Sequence, residues 1–90
     1  VYNDVSLRLC PIDESDALQM IAEVKGARLL EGFRGQPAAD IAALADTLVR
    51  VSQLGAQLEG SLAELDINPL MVLPTGQGVR AADAVAIFQP

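Results

Sequence analysis

The chain is 90 residues long, 51% hydrophobic but only 3% aromatic, and sets 6 basic against 12 acidic residues for a net charge of −6. That length suits one domain with a modest core, and 20% charged residues is too few for a disordered acidic tail of this net charge. Nucleic acid and anionic membrane surfaces are poor partners, because phosphate binding needs clustered Lys and Arg, and here Lys25 is the single lysine and no two arginines are adjacent.

In chain order, Val5-Ser6-Leu7-Arg8-Leu9 alternates apolar and polar residues, which predicts a half-buried strand ended by Pro11. Asp13 stands at an N-cap with Asp16 three residues on, a weaker relative of the capping box. Leu18, Ile21 and Ala22 form the stripe of a helix running to about Val24, with Gly26 as its stop. Ala27 to Glu31 reads as a helical turn, and Glu31-Gly32-Phe33-Arg34-Gly35-Gln36-Pro37 as a loop. A long helix is predicted from about Pro37 or Ala38 to about Leu58, with Ile41, Leu44, Ala45, Leu48, Val51 and Leu54 or Gly55 on its apolar face and Gly60 at its end.

Leu62 to Leu73 reads as a strand, in which Pro69 must lie at an edge, a bulge or a break because it cannot donate to a ladder. Pro74-Thr75-Gly76-Gln77-Gly78 is a hairpin turn, and Val79 to Phe88 the returning strand. This order predicts an α+β fold: a two-layer sandwich of about three mainly antiparallel strands with two main helices on one face, in a single domain over residues 1–90.

Several chemistries drop out. No histidine is present, which removes a Ser-His-Asp triad, a Cys-His pair and any His-ligated metal within the chain. Cys10 stands alone, so no internal disulfide forms, the expected compartment is cytoplasmic, and the thiol reads as a small buried apolar group. No apolar run approaches the ~20 residues of a spanning helix. The chain starts at Val1, directly before a strand-like stretch, and reads as a segment of something longer.

The densest polar signal is Glu64-Leu65-Asp66-Ile67-Asn68-Pro69-Leu70. On a strand, Glu64, Asp66 and Asn68 share one face while Leu65 and Ile67 point to the other. Two carboxylates and an amide in a row make an all-oxygen set suited to a hard cation such as Mg²⁺. With a turn at residues 75–78, Asp83 falls roughly opposite residues 68–70, within reach of an ion shared with Asn68. The same pattern also describes the solvated face of a strand in an acidic protein, and Asn-Pro is also a turn signal.

Asp66-Ile67-Asn68-Pro69-Leu70, followed by a hairpin and Asp83-Ala84, resembles the end of the ATP-grasp domain in NDP-forming acyl-CoA synthetases of the succinyl-CoA synthetase superfamily. Leu29-Leu30-Glu31-Gly32-Phe33-Arg34-Gly35-Gln36-Pro37, with Asp40 leading into an Ala/Leu helix, is similar to that family's LL-x-G-[FY]-R-G-x-P-x-x-D segment. Arg8-Leu9 before Pro11 fits the strand that enters it, so the likeness covers essentially all of the chain. The resemblance implies that Asn68 and Asp83 hold Mg²⁺ against the phosphates of ATP or ADP. It implies that Asp66, with Glu64 a weaker match, faces the phosphorylated intermediate. Asp stands at 66 where the succinyl enzymes carry Glu, which alters its reach.

The same resemblance implies that the phosphohistidine, the CoA-thioester site and the adenine- and lysine-bearing segments lie in other domains or subunits of a parent synthetase. Arg34, between two glycines, is either a clamp for nucleotide phosphate or a fastener of helix-end carbonyls. Three roles remain open: part of an ADP-forming acyl-CoA synthetase, inactive by itself; a ligand-sensing module of a GCN5-type protein acetyltransferase; or a docking domain whose exposed apolar surface promotes self-association.

Overall fold

The computed structural model describes residues 5–24, 30, 32, 35 and 37–90. The local capping chemistry of Asp13 sets the first helix, α1, over Glu14–Glu23. Its carboxylate accepts from the Asp16 N–H (2.8 Å), and the Asp16 carboxylate accepts from the Asp13 N–H (3.2 Å), a reciprocal box built from two aspartates. The second helix, α2, spans Ile41–Gln57 with Asp40 as its N-cap, so Pro37 and Ala38 lie before the helix rather than in it. Beyond the Leu58 cap, Gly60 takes a φ of 87°, a left-handed turn that points the chain into the sheet.

The core lies between α1 and α2. Ile12, Ala17, Ile21 and Ala45 are buried, and Met20, Leu30, Ile41, Leu44, Leu48 and Val49 pack around them. The buried stripe of α1 therefore runs through Ala17 and Ile21, and Leu18, expected inside, is 41% exposed. On α2 the inward positions continue to Ser52 rather than Val51: Ser52 is buried, its Oγ accepts from the Ile12 N–H (3.0 Å), and its hydroxyl donates to the Val49 carbonyl (2.7 Å). This one hydroxyl holds the chain entering α1 against the middle of α2.

The strands form a single hairpin in four pieces: β1 (Leu62–Ile67), β2 (Leu70–Val72), β3 (Val79–Ala81) and β4 (Ala84–Phe88). β1 pairs antiparallel with β4 and β2 with β3. Pro69 causes the interruption, as a residue without an N–H must. The register nonetheless survives the break, since Ile67 faces Ala84 on one side of it and Leu70 faces Ala81 on the other. A bulge between Leu62 and Glu64 is the one slip in the β1–β4 ladder. The expected α+β architecture with antiparallel pairing is present, and all described strands belong to the carboxy-terminal hairpin.

Val5–Leu9 does not join the sheet. Its period-2 alternation is real but inverted, with Val5, Leu7 and Leu9 exposed by 66%, 80% and 92%. The polar members face α1 instead: Arg8 Nη2 meets Glu23 Oε2 at 2.5 Å, and the Ser6 hydroxyl donates to Glu23 Oε1 at 2.6 Å. An ion pair, not a ladder, holds the segment. Cys10, expected to be buried, is exposed beside this segment. The turn expected at 27–31 falls almost entirely outside the described residues.

Replacing Ser52 with alanine strands the buried Ile12 N–H. Equilibrium urea unfolding of Ser52→Ala is expected to report a loss of about 1–3 kcal/mol with an unchanged m-value.

Candidate functional site

The hairpin presents its polar residues as the period-2 pattern dictates. Leu65 and Ile67 are half-buried, while Glu64, Asp66 and Asn68 are exposed. Directly opposite on β4, Ile87 faces Glu64 and Val85 faces Asp66. Cross-strand partners share a face, so the acidic row lies beside Ile87 and Val85, exposed by 48% and 54%. This face is mixed: carboxylates on one strand and aliphatic groups on the other.

At the proline break, the Asn68 N–H donates to the Asp83 carbonyl (3.0 Å) and the Ala82 N–H to the Pro69 carbonyl (3.0 Å). Asn68 and Asp83 are thus opposite one another across the break, continuing the register of Glu64 and Asp66. Asp83 Oδ1 accepts from the Ala84 N–H (2.8 Å), which orients the carboxylate from its own strand. Among the described residues no group of three or more His, Cys, Asp or Glu gathers into a metal cage. The donor set at this rung is one amide oxygen and one carboxylate. That set fits Mg²⁺, which takes one or two protein carboxylates and completes its shell with waters and substrate phosphates. Arg34 lies outside the described residues. A hollow of about 230 Å³ between the helices, lined by Met20, Ile21, Leu44 and Leu48 among others, is apolar and carries none of these groups.

Asp40 is a second polar centre, whose reach across the fold the motif alone did not reveal. It is only 8% exposed, and its carboxylate collects three backbone donors. Oδ1 accepts from the Ala43 N–H in the first turn of α2 (3.1 Å), while Oδ2 accepts from Gly76 (3.1 Å) and Gly78 (2.8 Å) at the hairpin tip. Both glycines have positive φ, 86° and 83°, which turns their N–H groups onto one oxygen. Around this clamp the Asp40 N–H donates to Leu73 (2.7 Å) and the Thr75 N–H to Ala38 (3.0 Å), and Ala39 bridges Pro74. The sequence pattern placed the helix start at Pro37 or Ala38, not at an Asp40 cap, and the glycine partners of Asp40, 36 and 38 residues downstream, were not readable from it.

The Gly78 and Ala43 N–H groups, with a smaller push from Gly76, hold the Asp40 carboxyl below its usual range against the opposing effect of burial. A carboxyl depressed in the folded state stabilises the fold above the unfolded pKa, and that contribution is lost as pH falls through the folded pKa. Thermal melts from pH 7 down to pH 3 are therefore expected to show the native chain ahead of Asp40→Ala by on the order of 10 °C at neutral pH. The gap is expected to hold down to about pH 5 and to narrow below it; a gap that stays constant to the acid end would remove the charge from the explanation.

An ATP-grasp domain model matches residues 1–87. The chain is 40% identical over 89 residues to the beta subunit of an ADP-forming acetate–CoA ligase II from Pyrococcus furiosus, covering 99% of this chain and 38% of that subunit. It is 39% identical over 83 residues to an ADP-forming 4-hydroxybutyrate–CoA ligase from Nitrosopumilus maritimus, covering 92% of this chain and 12% of that protein. Among solved structures it matches the dinucleotide-forming acetyl-coenzyme A synthetase 1 of Ca. Korarchaeum cryptofilum. The form bound to coenzyme A, acetyl-coenzyme A and a phosphorylated phosphohistidine segment gives a TM-score of 0.89 and 43% identity over 96% of this chain and 37% of that one. The form bound to coenzyme A and Mg-AMPPCP, its phosphohistidine segment pointing towards the nucleotide site, gives a TM-score of 0.85 and 40% identity over 91% and 37%. The chain thus spans well under half the length of these relatives. With the family match over nearly its whole length, it belongs to the ATP-grasp domain family.

Proposed function

We propose that this chain supplies the metal- and phosphate-facing hairpin of an ADP-forming acyl-CoA synthetase, in the reaction acyl-CoA + phosphate + ADP giving acid + CoA + ATP. The observation that carries the reading is the rung that sets Asn68 opposite Asp83, in line with Asp66 and Glu64 on an exposed, partly aliphatic face. The ligase names of the relatives, and the Mg-AMPPCP held by the Korarchaeum enzyme, support it. Those names do not favour a ligand-sensing module of an acetyltransferase.

In this reading the Asn68 side-chain oxygen and the Asp83 carboxylate hold Mg²⁺. An ion held by these two groups would supply positive charge to offset that of the nucleotide phosphates. The roles of Asp66 and Glu64 rest on the family resemblance, and they suit carboxylates, which repel phosphate oxygens but accept an imidazole N–H. They orient a phosphohistidine brought by another part of the protein, since this chain contains no histidine. Asp66 stands two residues from Asn68 and Glu64 four, both on β1. Arg34 is assigned to the phosphates on its motif and its charge.

The thioester is bound elsewhere in the complete protein, by other domains or subunits. The exposed apolar side chains of Val5, Leu7 and Leu9, and of Val85, Ile87 and Phe88, are surfaces for those parts to cover. No described helix is long and apolar enough to cross a membrane.

The test is ATP formation from acetyl-CoA, phosphate and ADP by the complete protein, followed against Mg²⁺ concentration. Asp83→Asn is expected to lower kcat by about 100-fold or more, with the KM for acetyl-CoA little changed. Unchanged turnover in that variant would remove the metal assignment.

A further inference from the structure

We infer that Asp40 is a positioning residue for the Asn68–Asp83 rung: by fixing the hairpin tip to the start of α2, it sets where the two cation ligands stand. The inference rests on the metal reading proposed above and concerns a residue with no ligand role of its own, its carboxylate being engaged by three backbone N–H groups.

The argument is one of connectivity. Asn68 and Asp83 are exposed, so packing at the rung itself does little to hold them. The base of the hairpin is tied to the end of α2, where Ser61 and Leu62 donate to Leu58 and Gln89 to Ser61. A second restraint enters at the tip, where Asp40 gathers Gly76 and Gly78, Leu73 accepts from the Asp40 N–H, and Ala39 bridges Pro74. From there the ladder runs to the rung without a slip: Val72 faces Val79, Met71 faces Arg80 and Leu70 faces Ala81. Beyond the proline the same register continues, with Ile67 facing Ala84. A tip released from α2 therefore carries both ligands with it.

Two substitutions in the complete protein separate the two tasks of the carboxylate. Asp40→Ser keeps an N-cap acceptor for the Ala43 N–H but is too short to reach Gly76 and Gly78. Asp40→Asn has one oxygen where the carboxylate uses two, so it cannot serve the cap and the hairpin tip at once. Mn²⁺ titrated in the presence of ADP and followed by water-proton relaxation reads affinity and site number separately. Both variants are expected to bind Mn²⁺ about tenfold more weakly, with site number and the KM for acetyl-CoA unchanged. A residue needed only for folding would lower the fraction of competent sites and leave their dissociation constant alone; that result overturns the inference. Asp83→Asn is measured alongside. If it weakens Mn²⁺ while the Asp40 variants do not, the positioning role falls and the metal site stands. If it too leaves Mn²⁺ affinity unchanged, the metal reading falls and takes the inference with it.

Discussion

One buried carboxylate joins the two halves of this molecule. A helical pair with a small core and a four-piece hairpin are each weak units, because an isolated hairpin is marginal in water. Asp40 couples them by dividing its oxygens, one to the first turn of α2 and one to two glycines at the hairpin tip. The arrangement is sound electrostatically. A charge this little exposed is tolerated because backbone dipoles surround it, and the same dipoles favour its ionised form.

How far the sequence could be read depended on how local the interactions were. The Asp13–Asp16 box was legible because both partners lie within one turn, and the acidic row of β1 because a two-residue period needs no distant information. The Asn68–Asp83 juxtaposition was legible by counting back from the glycine-rich turn, and Pro69 announced the interruption by its missing donor. Val5–Leu9 shows the limit. Alternation reveals that a segment has two faces, but not which one is inward, and here Glu23 claimed the polar face. The same limit explains Cys10, whose neighbours were expected in a sheet. Leu18 went astray for a related reason: two adjacent helical stripes were available, and the small Ala17 took the inward one, where α2 approaches. The companionship of Val85 and Ile87 with the carboxylates needed the register itself, and Arg34 lies where the structure offers no description.

The candidate face gains its character from that companionship. Carboxylates standing among exposed aliphatic groups lose part of their hydration once the face is covered, and lost hydration strengthens their attraction for a cation or an N–H donor. The chain spans 38% and 12% of the two ligases compared above, which accords with the proposal that this face is one wall of a larger site.

The unbroken register across the Asn-Pro interruption bears on which length changes this family can accept. Residues added beyond the ladder, at the apex near Gln77, lengthen the loop but leave every rung opposite its partner. A single residue added to one strand between Pro69 and Val72, or between Val79 and Ala82, shifts everything on the far side of it by one place. Asn68 would then meet a neighbour of Asp83, and strand pleating would send their side chains to opposite faces. Insertions and deletions that keep Asn68 opposite Asp83 are therefore those at the apex, or compensating pairs on the two strands.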